Sequence, residues 1–312
     1  MIDPTKKSGA IPADNKKEPQ QDSSRLKQEP TPKTIPIKPG FYLVATPIGN
    51  LRDITFRALD ILSSVDLIIC EDTRVTGKLM QAYGFKKKMQ VYNDHATEGQ
   101  REALIKGVQN GLSVAVLSDA GTPMVSDPGY KLIRLAIQNA LYITSIPGPN
   151  AALPALQLSG MPTDQFSFLG FLPNKTAARK KALQNWAEVP STLVLYETGP
   201  RLVDSLIDMK AVLGNRESAI IRELTKIYEE STRGTLSELI AHYRDTGAPK
   251  GEIVVVLGQA TEEILSTDSI EEQLKKALKT LSVRDAAEVV AKATGKPKKT
   301  IYTLALKLSS SA

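Results

Sequence analysis

From Phe41 onward the chain alternates short apolar runs rich in β-branched residues with longer stretches in which apolar positions recur every three or four residues. The first pattern is that of a strand buried on both faces, the second that of a helix laid on a sheet by one face. Strands are predicted at Phe41–Thr46, Asp66–Cys70, Met89–Tyr92, Ser113–Ser118 and Tyr142–Ile146, with helices between them. In Arg52–Ser63, for instance, Ile54, Ala58 and Ile61 recur at helical spacing, with Val65 continuing the series. Strands alternating with helices build a parallel sheet covered by helices, so residues 40–160 are expected to form a first α/β domain.

The run SGMPT at Ser159–Thr163 combines Gly and Pro in the manner of a boundary. Beyond it, strands are predicted at Gln165–Leu169, Ser191–Tyr196, Ser218–Arg222 and Glu252–Leu257, giving a second α/β domain over residues 161–260. No internal repeat relates the halves, so two different domains are expected. From about Thr267 the pattern is helical: SIEEQLKKALKTL is amphipathic, and SVRDAAEVVAKATGKPKKTIYTLALKL reads as two helices joined by a Gly-Lys-Pro turn. Residues 266–312 thus form a helix-turn-helix-like region whose turn presents Lys296, Lys298 and Lys299, either to phosphates or simply to solvent. Residues 1–39, polar and punctuated by seven prolines, cannot bury enough surface to offset their ordering entropy and are expected to be a disordered tail.

Composition narrows the class. Hydrophobic residues at 41% and charged residues at 24% are ordinary for a globular protein, and 312 residues suit two domains with an appendage. No apolar run is long enough to cross a membrane and the N-terminus lacks a signal peptide's apolar core, so a soluble cytoplasmic protein is expected. A single Cys70 with only His95 and His242 beside it offers neither an intramolecular disulfide nor a common zinc pattern, and no metal site is expected. The net charge of +6 leans weakly toward an anionic partner.

Ligands of open parallel sheets bind at the carboxyl ends of the strands, which makes the residues after each strand the informative ones. They are Thr46-Pro47-Ile48-Gly49-Asn50, then Glu71-Asp72-Thr73-Arg74, then Asn93-Asp94-His95, then the long Asp119–Gly129 loop, and finally Pro147-Gly148-Pro149-Asn150-Ala151. Loops rich in Gly and Pro bring backbone N–H and C=O groups close to a ligand at low entropic cost. Neither a P-loop nor a G-x-G-x-x-G turn is present, which disfavours nucleotide triphosphatases and ordinary dinucleotide enzymes.

Taken in order, LVATPIGNLRDIT, ICEDTRVTGKL, LSDAGTPMVSDPG, IPGPNA, YETGPRL, IIRELTKIYEE, RGTL and KGEIVVVL resemble the tetrapyrrole methylase superfamily. More narrowly, they are similar to the branch that methylates the ribose 2′-hydroxyl of a decoding-centre cytidine in 16S rRNA. The resemblance spans about Phe41 to Leu257. It implies two different α/β domains of tetrapyrrole methylase type with S-adenosylmethionine in the cleft between them, a homodimer, and 16S rRNA of the small ribosomal subunit as partner. The family's cofactor positions fall on Ile48 and Gly49, on Asp119, Gly121, Thr122, Pro123 and Val125, on Asn150 and Ala151, and on Tyr196. TPIGN stands where many tetrapyrrole-acting members carry G-x-G-x-G-D, which argues against a porphyrin substrate.

Transfer to a hydroxyl demands positioning first and proton handling second. Candidates for the second task are Glu71, Asp72, Arg74 and His95 from the first half and Glu197, Arg201, Lys226 and Glu229 from the second. An amine such as Lys226, beside Glu229 or Glu197, would stabilise an alkoxide or, if desolvated, act as base. His95 has a suitable ordinary pKa, or else caps its loop. Arg52, Arg74, Lys78 and Arg179-Lys180-Lys181 are candidates for rRNA phosphates, the last three equally a solvated helix start. Two other readings stay open: a methylase of tetrapyrroles or of a modified protein residue, and a non-catalytic RNA-binding assembly factor.

Overall fold

The structure is a computed structural model that describes residues 32–93, 95–260, 267–279, 281–294 and 297–310. Its first half runs β1 (Gly40–Val44), α1 (Phe56–Ser64), β2 (Leu67–Cys70), α2 (Thr73–Ala82), β3 (Met89–Val91), α3 (Glu98–Gln109), β4 (Ser113–Leu117), α4 (Tyr130–Gln138) and β5 (Ile143–Ile146). The five strands form one parallel sheet in the order β3-β2-β4-β1-β5. Central β2 and β4 are buried along their whole length, which is why they read as continuous apolar runs. One face packs on α1 and α2 through Tyr42, Val44, Ile68, Leu59 and Met80, the other on α3 and α4 through Phe41, Ile69, Val116, Ile105 and Leu132.

The helix expected over Arg52–Ser63 is divided. A short 3-10 turn, Leu51–Asp53, is followed by a break, and α1 starts only at Phe56. Thr55 causes the break, because its hydroxyl accepts from the Ala58 N–H and caps the new helix instead of continuing the old one. Of the residues expected to be a disordered tail, 1–31 lie outside the described residues, whereas 32–39 run along α1. The Lys33 N–H donates to Asp60 Oδ1 (2.8 Å) and the Ile35 N–H to Ser64 Oγ (2.9 Å). Ordered chain thus begins before residue 40, because the last turn of α1 offers acceptors for backbone that would otherwise need water.

After α5 (Ala152–Ser159) come β6 (Phe166–Phe171), α6 (Thr176–Gln184), β7 (Thr192–Thr198), α7 (Gly199–Leu213), β8 (Glu217–Arg222), β9 (Glu230–Thr235), α8 (Leu236–Thr246) and β10 (Glu252–Leu257). Their sheet has the order β6-β7-β10-β8-β9, with β6 and β7 parallel and every other pairing antiparallel. Side chains alternate across it. Leu193, Leu195, Val255 and Leu257 face α7 and α8, while Val194, Ile221, Val254 and Val256 face α5 and Ile48 of the first half. Helix α5 therefore joins the two sheets. The C-terminal stretch folds as α9 (Thr267–Leu278), α10 (Val283–Thr294) and α11 (Lys298–Ser310) around a separate core of Ile270, Leu274, Ala286, Val290, Ile301 and Ala305. Of its predicted basic turn, Lys296 lies outside the described residues, Lys298 is paired with Glu288, and Lys299 is exposed.

Candidate active site

The carboxyl ends of β1, β2, β4 and β5 are tied to one another by their loops. Thr46 and Gly121 exchange backbone hydrogen bonds (2.8 and 3.0 Å), Thr122 Oγ1 donates to the Pro149 carbonyl (3.0 Å), and the Asp72 N–H donates to Asp119 Oδ1 (3.1 Å). The loop after β4 is bent by two non-glycine residues at positive φ, Met124 (69°) and Ser126 (66°). Such conformations persist only where their surroundings hold them. Part of that hold comes from the second sheet: at Gly170 in β6 a Cβ would stand 2.6 Å from Ser126 Oγ, so the Ser126 side chain packs there in space that glycine leaves open.

Between the loops and the second sheet lies a cavity of about 290 Å³. Seven of the expected cofactor positions line it: Ile48, Asp119, Gly121, Thr122, Val125, Ala151 and Tyr196. The other three serve differently. Gly49 lines a neighbouring cavity of about 280 Å³ beside α2, which meets the first at Asp119. Pro123 is buried within its loop, and the Asn150 side chain accepts from the Ala152 and Leu153 N–H groups, capping α5. The lining of the main cavity combines the apolar Ile48, Val125, Ile221, Leu224 and Val254 with the carboxylates Asp119, Asp127, Glu197 and Glu252. Burial pushes the Tyr196 phenol up from its ordinary value, and Asp127 adds to the shift.

The proton-handling candidates scatter. Asp72 caps α2, accepting from the Arg74 N–H (2.8 Å), and also binds the Arg74 guanidinium, whose hydrogen bonds hold its carboxyl down at about 2. Arg74 itself is 88% exposed. His95 is exposed, and its backbone N–H donates to Asn93 Oδ1 (3.0 Å); it lines neither cavity. Glu229 turns into its own loop, accepting from the Thr225 N–H (2.6 Å). The Lys226 ammonium pairs with neither Glu229 nor Glu197; Glu229 meets Lys226 only through the backbone, its N–H donating to the Lys226 carbonyl (3.2 Å). The ammonium sits 2.9 Å from both Glu223 Oε1 and Glu252 Oε2, and its pKa is raised although burial opposes the shift. An amine so held is a cation at neutral pH, which removes the base role. Its stem crosses to the first half, where a Cβ on Gly49 would lie 2.5 Å from Lys226 Cγ. Glu197 is buried, bound by Ser205 and paired with Arg201 (3.2 Å), so it anchors the start of α7.

Of the phosphate candidates, Arg52, Arg74, Lys78 and Lys181 are exposed, and Lys78 lines the second cavity. Arg179 is not available: it is 2% exposed and pairs with Asp208 (2.6 Å), because one side of α6 is buried against α7. Among the lining residues that sequence reasoning left unassigned are Asp127, Phe171, Leu224 and Glu252. Asp127 lay inside a motif already singled out, but only its burial beside other carboxylates sets it apart.

Residues 40–240 match the family Tetrapyrrole (Corrin/Porphyrin) Methylases, and residues 264–309 match the RsmI C-terminal HTH domain. The ribosomal RNA small subunit methyltransferase I of Mesorhizobium japonicum is 45% identical over 274 residues, which cover 88% of this chain and 93% of that protein. Its counterpart in Escherichia coli O157:H7 is 41% identical over 269 residues, covering 85% and 94%. Among solved structures, a diphthine synthase (TM-score 0.54, 16% identity, 70% of this chain and 89% of that one) shares the fold. So does the cobalt precorrin-4 methyltransferase CbiF (TM-score 0.52, 16% identity, 70% and 94%). The chain belongs to the tetrapyrrole methylase family and, within it, to the ribosomal RNA small subunit methyltransferase I enzymes.

Proposed function

We propose that the chain binds S-adenosylmethionine in the cavity between its two sheets and methylates the ribose 2′-hydroxyl of a decoding-centre cytidine in 16S rRNA. In this reading the two sheet-and-helix units are distinct domains, and the cavity between them is the catalytic cleft. The observation that carries it is the convergence of seven family cofactor positions on one cavity lined by both apolar and acidic side chains. S-adenosylmethionine supplies an activated methyl group on a sulfonium, and such a ligand presents an adenosine to be covered and positive charge to be matched. Ile48, Val125, Ala151 and Leu224 offer the first kind of surface, and Asp119 and Asp127 the second.

The chain's own task is then positioning. Lys226, as a cation bridging the β8–β9 loop to the first loop, fixes Gly49 and provides positive charge near the hydroxyl that must lose its proton. The second cavity, with exposed Lys78 beside it, suits the approach of the acceptor strand. The exposed Arg52 and Arg74 extend that basic surface, and the C-terminal helices add a further RNA contact. A homodimer, implied by the resemblance, completes the reading; sedimentation of the full chain at micromolar concentration tests it.

Mass mapping of ribose methylation in rRNA from cells lacking this chain tests the reaction. One missing 2′-O-methyl mark, restored by the wild-type chain, is the expected result. An unchanged methylation map overturns it.

A further inference from the structure

Two of the four carboxylates lining the main cavity already face a cation, Glu197 through Arg201 and Glu252 through Lys226. Asp119 and Asp127 have no ion-pair partner among the described residues. The two are not equivalent. Asp119 is exposed and its Oδ1 already accepts the Asp72 N–H, so solvent screens much of its charge. Asp127 is half-buried. The groups facing it are the Ser118 hydroxyl, Glu71 and Asp119 at the ends of β2 and β4, and the Tyr196 phenol from β7. Burial pushes the Asp127 carboxyl up to about 6, outweighing the hydrogen bond from Ser118, and the negative charges of Glu71 and Asp119 add to the rise.

We propose that Asp127 is the counter-charge for the donor's sulfonium, and that through it the cavity distinguishes the charged donor from the neutral thioether left after transfer. The inference rests on the donor reading above. A carboxylate removed from water and left beside like charges gains more from an arriving cation than one on the surface, because the attraction is less screened. The neighbour of Asp127, Ser126, is held in turn, by the bent backbone at Met124 and Ser126 and by packing of the Ser126 hydroxyl on Gly170. Once the methyl group has left, sulfur is neutral and the attraction at Asp127 disappears, which favours exchange of product for fresh donor.

Titration calorimetry on the full chain with S-adenosylmethionine and, separately, S-adenosylhomocysteine tests this. Asp127→Asn should weaken donor binding about tenfold or more while changing product binding by less than about threefold. An equal loss for both compounds overturns the proposal, since it would place Asp127 against a part they share. No loss for either also overturns it. A second measurement needs no variant. In the wild-type protein the ratio of donor to product affinity should fall as pH drops through about 6, with the ammonium and carboxylate common to both compounds cancelling. A ratio flat from pH 5 to 8 overturns the assignment. Wild-type protein that binds neither compound overturns the donor reading together with this one, a result distinct from each of the others.

Discussion

At the scale of single residues, the contact that joins the halves most directly is the Lys226 stem on Gly49. Gly49 has φ +149°, and a Cβ there would overlap Lys226 Cγ at 2.5 Å. Gly49→Ala should therefore cost about 1–3 kcal/mol from strain and overpacking. Lys226→Ala removes the obstacle but leaves Glu223 and Glu252 facing one another. The double variant should lose less stability than the sum of the singles, as read by denaturant midpoints; strict additivity would mean that the two do not touch in solution. Asp72 gives a second residue-level expectation. Its folded pKa near 2 lies below the usual carboxylate range, so any stability it adds is present above about pH 4 and is lost as pH falls through 2. It is ionised throughout the neutral range. Arg74→Ala should move the Asp72 carboxyl titration up toward 4 in a carbon-detected NMR experiment, and a titration left near 2 would deny the guanidinium its part.

At the scale of elements, α6 and α7 are locked by a charge pair away from solvent. Arg179 and Asp208 are both nearly fully buried, with Lys180 reaching Asp208 from outside at 3.4 Å. Removing one partner strands the other charge, so Asp208→Ala should cost about 3–5 kcal/mol, whereas Arg179→Met with Asp208→Leu should recover most of it. Thermal denaturation distinguishes the two, and an equally unstable double variant would refute the pairing argument. Elements of this kind also show where sequence was and was not legible. Of the nine predicted strands, the central ones were legible as runs of apolar residues buried along nearly their whole length, as in β4 and β10, while β3, at a sheet edge, is only half-buried. Strand β9 was invisible since ESTRGT is half-exposed at the sheet edge and owes its pairing to β8. Arg179 read as surface because nothing in Arg-Lys-Lys reveals that Asp208, 29 residues away, waits on the next helix. Most of the main cavity's first-half lining was legible through loop motifs, while the pairing of Lys226 with Glu252 was not. Glu223 stands only three residues before Lys226, but Glu252 is brought to both by the β8–β10 pairing, a tertiary fact.

At the scale of the whole molecule, the architecture separates the main cavity from the C-terminal helices. The cavity is lined from Ile48 to Val254, so every wall of it lies before residue 260. Helices α9 to α11 close on their own core of small and branched residues. A chain ending at residue 260 should therefore keep the two sheets and their cavity. Its affinity for S-adenosylmethionine should stay within about threefold of the full chain, since no residue against the cavity is lost. Methyl transfer to small ribosomal subunits should behave differently. If the helical region supplies even two phosphate contacts, removing it lowers the salt dependence of subunit binding by about two in logarithmic slope. The useful comparison is thus donor affinity by calorimetry against transfer rate at two salt concentrations. Intact donor binding with a lower transfer rate and a shallower salt slope assigns the region to RNA. Loss of donor binding in the shortened chain would mean instead that the helices brace the cavity, and that the two functions share one cooperative unit.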